Sequence, residues 1–153
     1  GSLEAIDGIV QSAVADGATL ALGGKRAAGF NEGHFYEPTV LTNVSDEMQV
    51  FAEENFGPVA AIASFRDDDE ALSRANASRM GLSAYAFTSS PDRARHTIKT
   101  LKSGMVGINS FALAASEAPF GGTNFSGLGR EGGSEGIEDY LDTKYVCVGG
   151  LGL

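Results

Sequence analysis

Residues 59–109 read VAAIASFRDDDEALSRANASRMGLSAYAFTSSPDRARHTIKTLKSGMVGIN, and their pattern decides the fold. Val59 to Phe65 is an apolar run of strand length. Asp67 to Glu70 then opens a helix through a capping box, with Asp67 as the cap and Glu70 three residues on. Ala71, Leu72 and Ala75 give that helix its apolar stripe, and Gly81 stops it. Ala84 to Thr88 is a second strand. Ser90-Pro91 supplies a cap and a proline at the first helical position, and Ala94, Ile98 and Leu101 face inward from the helix that follows. Gly104 releases the chain into a third strand, Met105 to Asn109. Strand, helix, strand, helix, strand implies parallel strands joined by right-handed crossovers. The fold class is therefore α/β: a three-layer domain whose parallel sheet is covered by helices.

Upstream of this stretch, Leu3, Ile6, Ile9, Val10, Ala13 and Val14 recur at helical spacing until Asp16-Gly17 stops them. Ala18 to Leu22 reads as a short buried strand closed by Gly23-Gly24, and Lys25 to His34 as a polar surface loop. Tyr36 to Val44, interrupted by Pro38, reads as an edge or irregular strand. Downstream, Gly121 to Gly136 holds seven glycines in sixteen residues. Ser134 to Tyr140 suits a short helix, and Thr143 to Val148 alternates as a final strand. That strand either closes the sheet of its own domain or pairs with another subunit, as exposed strand edges readily do.

With 153 residues, 42% hydrophobic and 20% charged, the chain has the size and composition of one globular domain. No apolar run approaches the roughly 18 residues that span a bilayer, so no membrane segment is expected. A net charge of -9 argues against nucleic acid or an anionic membrane surface as partner, since phosphates demand clustered Lys and Arg. Cys147 is the single cysteine and has no internal disulfide partner. Gly1-Ser2 reads as a cleavage scar rather than a signal peptide. These features imply a reducing, cytoplasmic setting.

Gly127, Gly129 and Gly132 match the dinucleotide-binding spacing, but Thr123 to Ser126 does not read as the buried strand such a loop must follow. A structural turn is expected there. Cys147 sits in a strand pattern without an adjacent base, and a thiolate needs a cation, base or helix N-terminus to form. His34 and His96 have no partners at metal-ligand spacing, so no metal is expected. Asp67 to Glu70 is explained by capping and the helix dipole. Glu53-Glu54-Asn55-Phe56-Gly57-Pro58 differs from these, because two carboxylates and an aromatic ring precede a rigid turn at the mouth of a strand.

Glu53 to Val59 resembles the Glu-Glu-x-Phe-Gly-Pro signature of the NAD(P)-dependent aldehyde dehydrogenases. Tyr36-Glu37-Pro38-Thr39-Val40-Leu41, Gly81 to Tyr85, Gly104 to Asn109, and Pro119-Phe120-Gly121-Gly122 leading into Ser126 to Glu131 agree in order and spacing. The resemblance runs from residue 3 to about 150. Within the family, Gly136 to Gly150 looks most like the succinate-semialdehyde dehydrogenase branch. Ala114 stands where that branch places a serine on the substrate carboxylate, and Thr123-Asn124-Phe125 replaces its lysine-containing triplet.

The resemblance implies oxidation of a small-molecule aldehyde through a cysteine thiohemiacetal, hydride transfer to NAD or NADP, and thioester hydrolysis with a glutamate base. It places that cysteine, that glutamate and most of the cofactor-binding domain upstream, so no catalytic residue lies in this segment and the segment alone is expected to be inactive. Glu54 matches the residue that hydrogen-bonds the nicotinamide ribose, and Phe56 the aromatic packed near the nicotinamide. Phe111, Ala114, Ser116 and Phe120 match the loop that lines the aldehyde tunnel. Residues 1–140 then form part of the catalytic domain, and residues 141–153 an arm that adds to a neighbouring subunit, giving a homo-oligomer. The alternative reading is a non-catalytic oligomerisation or binding module on the same scaffold.

Overall fold

The structure is a computed structural model that describes residues 2–30, 32–150 and 152. It divides into two compact units, residues 1–78 and 79–153.

In the first unit, helix α1 (Ser2–Ala15) buries Leu3, Ile6, Val10 and Ala13, the expected 3–4 spacing. It stops at Gly17, whose φ of 106° favours glycine. Three strands follow in the spatial order β1-β2-β3. Strand β1 (Thr19–Leu22) runs antiparallel to β2 (Thr39–Thr42), and β2 runs parallel to β3 (Val59–Ala61), with Thr39 opposite Val59 and Leu41 opposite Ala61.

Two expectations are corrected here. The segment around Pro38 is the central strand, not an edge. Pro38 stands just before the ladder, where its missing N–H is not needed, and the first rung is the Thr39 N–H donating to the Pro58 carbonyl at 2.8 Å. Strands β1 and β3 flank β2, and all four residues of β1 are exposed rather than buried.

The core of this unit is Val10, Ala13, Ala18, Leu41, Val44, Met48 and Val50, with Ile9, Tyr36, Phe51, Val59 and Ala61 packed against it. Val44, Met48 and Val50 reach it through the segment around the one-turn helix α2 (Gln49–Ala52).

Strand β3 is shorter than the expected run to Phe65, although the Ile62 N–H still donates to the Leu41 carbonyl at 2.9 Å. Helix α3 (Asp68–Asn76) begins as its sequence dictates: the Asp67 carboxylate accepts from the Glu70 N–H at 2.9 Å. The Glu70 carboxylate reaches one residue further back than a capping box requires, accepting from the Arg66 N–H at 2.9 Å. Leu72 is buried and Ala71 half-buried, whereas Ala75 is exposed. The helix ends at Asn76, ahead of Gly81.

In the second unit, β4 (Ser83–Ala86) and β5 (Met105–Ile108) pair in parallel across helix α4 (Pro91–Thr100). The Ser90 hydroxyl caps α4 by accepting from the Arg93 N–H at 3.3 Å. The inward stripe of α4 is Ala94, Thr97 and Leu101. Thr97 is 9% exposed and Ile98 is 55% exposed, which reverses the expectation for Ile98. The i, i+3, i+7 row runs through Thr97, so geometry places the threonine inside and leaves its apolar neighbour outside.

The strand-helix-strand-helix-strand order holds, with parallel pairing of β2 with β3 and of β4 with β5, but its three strands divide between two sheets: β3 pairs with β2, and β4 and β5 form a two-stranded sheet of their own. Asn124–Ser126 and Glu135–Tyr140 are 3-10 helices, the second forming the expected short helix over Ser134 to Tyr140. Residues 141–150 are exposed and form no strand, which corrects the expectation for Thr143 to Val148. A strand needs a ladder partner, and none among the described residues supplies one. Leu151 and Leu153 of the expected arm lie outside the described residues. No helix among the described residues is long and apolar enough to cross a membrane.

Candidate functional site

Glu54 and Phe56 lie on the loop between α2 and β3, which is fastened at both ends. At its start the Glu53 N–H donates to the Gln49 carbonyl at 3.0 Å, and Gln49 Nε2 donates to Glu53 Oε2 at 2.9 Å. Asn55 Nδ2 donates to the Val50 carbonyl at 3.4 Å. At its end the Val59 N–H donates to the Gly57 carbonyl at 2.8 Å, and Pro58 begins the β2–β3 ladder. Gly57 lies against α1, since a Cβ there would stand 2.7 Å from Ile6 Cδ1.

Between these anchors the two candidate side chains point away from the core. Glu54 is exposed and Phe56 is 89% exposed. A phenyl ring displayed by a fastened loop can meet a flat partner with little backbone left to order. An exposed carboxylate on the same loop can accept from two hydroxyls of a diol.

The substrate candidates follow β5 in the second unit. Asn109 ends that strand with φ 54°, and its side chain bonds to both backbone groups of Thr88. Phe111 lies beyond this turn and packs against two rings that sequence reasoning missed. Its centroid is 5.2 Å from Tyr85 and 5.0 Å from Phe87. The signal was present, because Tyr85 on β4 and Phe87 just past its end are two residues apart in extended chain and so share a face.

Ala114, Ser116 and Phe120 come together with Ala115, Glu131 and Gly132 around an open cleft of about 450 Å³. Two contacts hold its wall. Phe120 and Glu131 exchange N–H···O bonds of 2.7 and 2.8 Å, and the Gly133 N–H donates to the Ser116 carbonyl at 2.9 Å. The Ser116 hydroxyl donates to Glu117 Oε2 at 2.9 Å. The Glu117 carboxyl is held below the usual carboxylate range, first by its own backbone N–H and then by Ser116. The cleft is lined by one carboxylate and no Lys or Arg.

The glycine-rich segment behaves as a turn. A 3-10 turn, not a strand, precedes Gly127. Arg130, the one cation in Gly121 to Gly136, spends its guanidinium on the loop itself: Nη1 donates to the carbonyls of Gly122, Leu128 and Gly129 at 2.8, 2.9 and 2.9 Å. Gly81 ties the segment to the sheet. Its N–H donates to Ser126 Oγ at 2.9 Å, and its carbonyl accepts from the N–H groups of Gly104 and Thr123 at 2.9 and 3.0 Å.

Cys147 is a free, exposed thiol. Among the described residues no group of three His, Cys, Asp or Glu is arranged to hold a metal ion.

The family model described as "Aldehyde dehydrogenase family" matches residues 1–146. The non-phosphorylating aspartate-semialdehyde dehydrogenase of Halomonas elongata is 49% identical over 99% of this chain and 30% of its own length. The mitochondrial succinate-semialdehyde dehydrogenase of Rattus norvegicus is 45% identical over 98% of this chain and 28% of its own. Among solved structures, betaine aldehyde dehydrogenase from Staphylococcus aureus in complex with NAD+ superposes with a TM-score of 0.88 at 41% identity. That match covers 94% of this chain and 29% of the neighbour. The chain therefore spans about three-tenths of the length of the curated relatives it matches.

Proposed function

Because this chain belongs to the aldehyde dehydrogenase family, we propose that it is the C-terminal part of the catalytic domain of an oxidoreductase that converts an aldehyde to a carboxylate with NAD or NADP. The observation that carries this reading is the fastened loop that displays Glu54 and the 89% exposed Phe56. When bound, NAD or NADP would supply the hydride acceptor. The residues present fit it: the Glu54 carboxylate would accept from the ribose hydroxyls, and the Phe56 ring would restrain the nicotinamide face without competing for hydrogen bonds.

The aldehyde side is assigned to Ala114, Ser116 and Phe120 around their cleft and to Phe111 earlier on the same loop. The substrate we favour is a semialdehyde such as succinate semialdehyde. The two curated relatives compared above are named for aspartate semialdehyde and succinate semialdehyde, both short aldehydes with a terminal carboxylate. This cleft supplies no cation for that carboxylate, and Ala114 supplies no hydroxyl. The cation, like the nucleophilic cysteine and the general base, is assigned to the part of the relatives' length that this chain does not span.

The 153 residues alone are then inactive. Residues 1–140 serve the catalytic domain, and residues 141–153 serve as a subunit-pairing arm. The exposed Tyr145, Val146 and Val148 support that arm, since apolar side chains at 64% exposure or more gain from a partner's sheet. The unpaired Cys147 fits a reducing, cytoplasmic setting.

The test is reduction of NAD and NADP by the full-length protein against succinate semialdehyde and uncharged aldehydes of similar length. Oxidation by the full-length protein, with none by the isolated 153 residues, is expected. No turnover of any aldehyde by the full-length protein would favour the non-catalytic module instead, and turnover by the isolated segment would overturn its assigned dependence on the remainder.

A further inference from the structure

Tyr85 and Phe87 rise from one face of β4 and its exit. Opposite Tyr85 in the ladder stands Gly107, and the missing side chain is what makes room. A Cβ at Gly107 would run first into the Ser110 carbonyl oxygen of the returning chain, and would lie 2.9 Å from Tyr85 Cδ1 and 3.3 Å from Leu113 Cδ2. Two residues later Asn109 turns left-handed and clips onto Thr88, which sends the chain back over β4. Phe111 consequently lands on both rings, tilted 52° to Tyr85 and 50° to Phe87 at centroid distances of 5.2 and 5.0 Å. Such tilted pairs attract beyond the area they bury. The three rings nevertheless stay open to contact, with Tyr85 42%, Phe87 60% and Phe111 73% exposed.

We infer that Tyr85 and Phe87 are positioning residues that hold the Phe111 ring and make one aromatic wall, which selects aldehydes by the length of their apolar chain. The inference rests on the assignment of Phe111 to the aldehyde site. Without its two supports the Phe111 ring has only a short turn to orient it, so a long aldehyde loses a fixed apolar surface while a short one loses little.

The test uses the full-length protein with Phe87→Leu, Phe87→Tyr, Phe111→Leu and the Phe87→Leu/Phe111→Leu pair, assayed on unbranched, uncharged aldehydes of increasing length. Phe87→Leu is expected to raise KM for the longest members by roughly three- to tenfold, the loss of one aromatic pair, with a smaller change in kcat. Phe87→Tyr keeps the ring and should retain the parent length dependence. In the Phe111→Leu background the Phe87 substitution should change selectivity no further, a non-additivity that a general loss of stability does not produce. If Phe111→Leu alters the length dependence and Phe87→Leu does not, Phe111 keeps its place and the positioning role falls. If neither alters it while aldehydes are still oxidised, both assignments fall. Should Phe87→Leu not accumulate as folded protein, Tyr85→Leu carries the same comparison.

Discussion

The side-chain amide of Asn109 makes two hydrogen bonds to the backbone of Thr88: Oδ1 accepts from the Thr88 N–H and Nδ2 donates to the Thr88 carbonyl, each at 2.8 Å. The pair continues the β4–β5 ladder after the backbone has left it, just past the Asn109 N–H donating to the Ala86 carbonyl at 2.8 Å. Asparagine suits the position twice over, because it tolerates the left-handed φ of 54° and its amide copies a peptide group. The loop that carries Phe111, Ala114, Ser116 and Phe120 starts from this clip.

Asn109→Ala should therefore lower the stability of the full-length protein by about 1–3 kcal/mol, from two lost hydrogen bonds and the loss of asparagine's tolerance of the left-handed region. Asn109→Gly removes the bonds but not the backbone freedom, so it should cost less than alanine. Urea midpoints of the three proteins check this, and equal midpoints would show that the clip contributes nothing.

Gly104 and Gly8 should respond to alanine with opposite signs. A Cβ on Gly104 would run into the Gly121 carbonyl oxygen and stand 2.9 Å from the Gly122 Cα, both backbone atoms that cannot swing aside. Overpacking of this kind costs roughly 1–3 kcal/mol, and it would push the Phe120–Gly122 strip away from β5. Gly8 is exposed within α1 with nothing within 4 Å of its ideal Cβ. Alanine there should stabilise by about 0.5–1 kcal/mol, through helix propensity and a less flexible unfolded chain. Melting temperatures that moved in the same direction would contradict the close approach at Gly104.

What could be read in the sequence was local. The Asp67 cap with Glu70 and the Ser90-Pro91 start are decided within four residues, and both helices begin as expected. The central place of β2 was hidden because Pro38 looks like an edge signal unless one knows that the ladder begins at Thr39, a fact set by Val59 of β3, further along the chain. Thr97 was passed over because it is not apolar, although its helical row is the buried one. The Thr143 to Val148 alternation is genuine, but alternation states a preference for a sheet and does not provide the partner. For the site, Glu54 and Phe56 were legible through the Glu53 to Val59 motif, which together with four others in the same order and spacing carries the resemblance. The aromatic trio depends on a turn at Asn109 and a missing side chain at Gly107, neither of which announces which rings will meet.

Tyr36 gives the protein an alkaline limit. Burial, then the hydrogen bond its phenol donates to Asp7 Oδ1 at 2.8 Å, pushes it up from 10.0 to about 12. A group whose folded value is raised contributes stability that is whole below its unfolded value and is lost as pH rises through the folded one. The loss should therefore run between pH 10 and about 12. Tyr36→Phe should be less stable than the parent at neutral pH and should show a shallower decline across that window, measured as urea midpoint against pH. Parallel declines in the two proteins would detach Tyr36 from the effect.

Glu54 and Phe56 can be separated from the scaffold that displays them. Both are exposed, so Glu54→Gln and Phe56→Ala should leave the melting temperature of the full-length protein within the small range of ordinary surface changes. Their assigned role is the orientation of the ring that receives the hydride, and misplacement of about 1 Å at a reacting centre costs on the order of a hundredfold. Glu54→Gln keeps the size of the side chain and some accepting capacity, so a fall of roughly tenfold in the hydride-transfer rate is expected, with a larger one for Phe56→Ala. The KM for the aldehyde should change far less, because neither residue lines the cleft of Ala114, Ser116 and Phe120. Deuterium on the aldehyde carbon distinguishes this from a general defect. If hydride transfer has been slowed, the isotope effect on kcat should grow in both variants, whereas an unchanged isotope effect beside a reduced kcat would place the damage at another step and remove Glu54 and Phe56 from the transfer geometry.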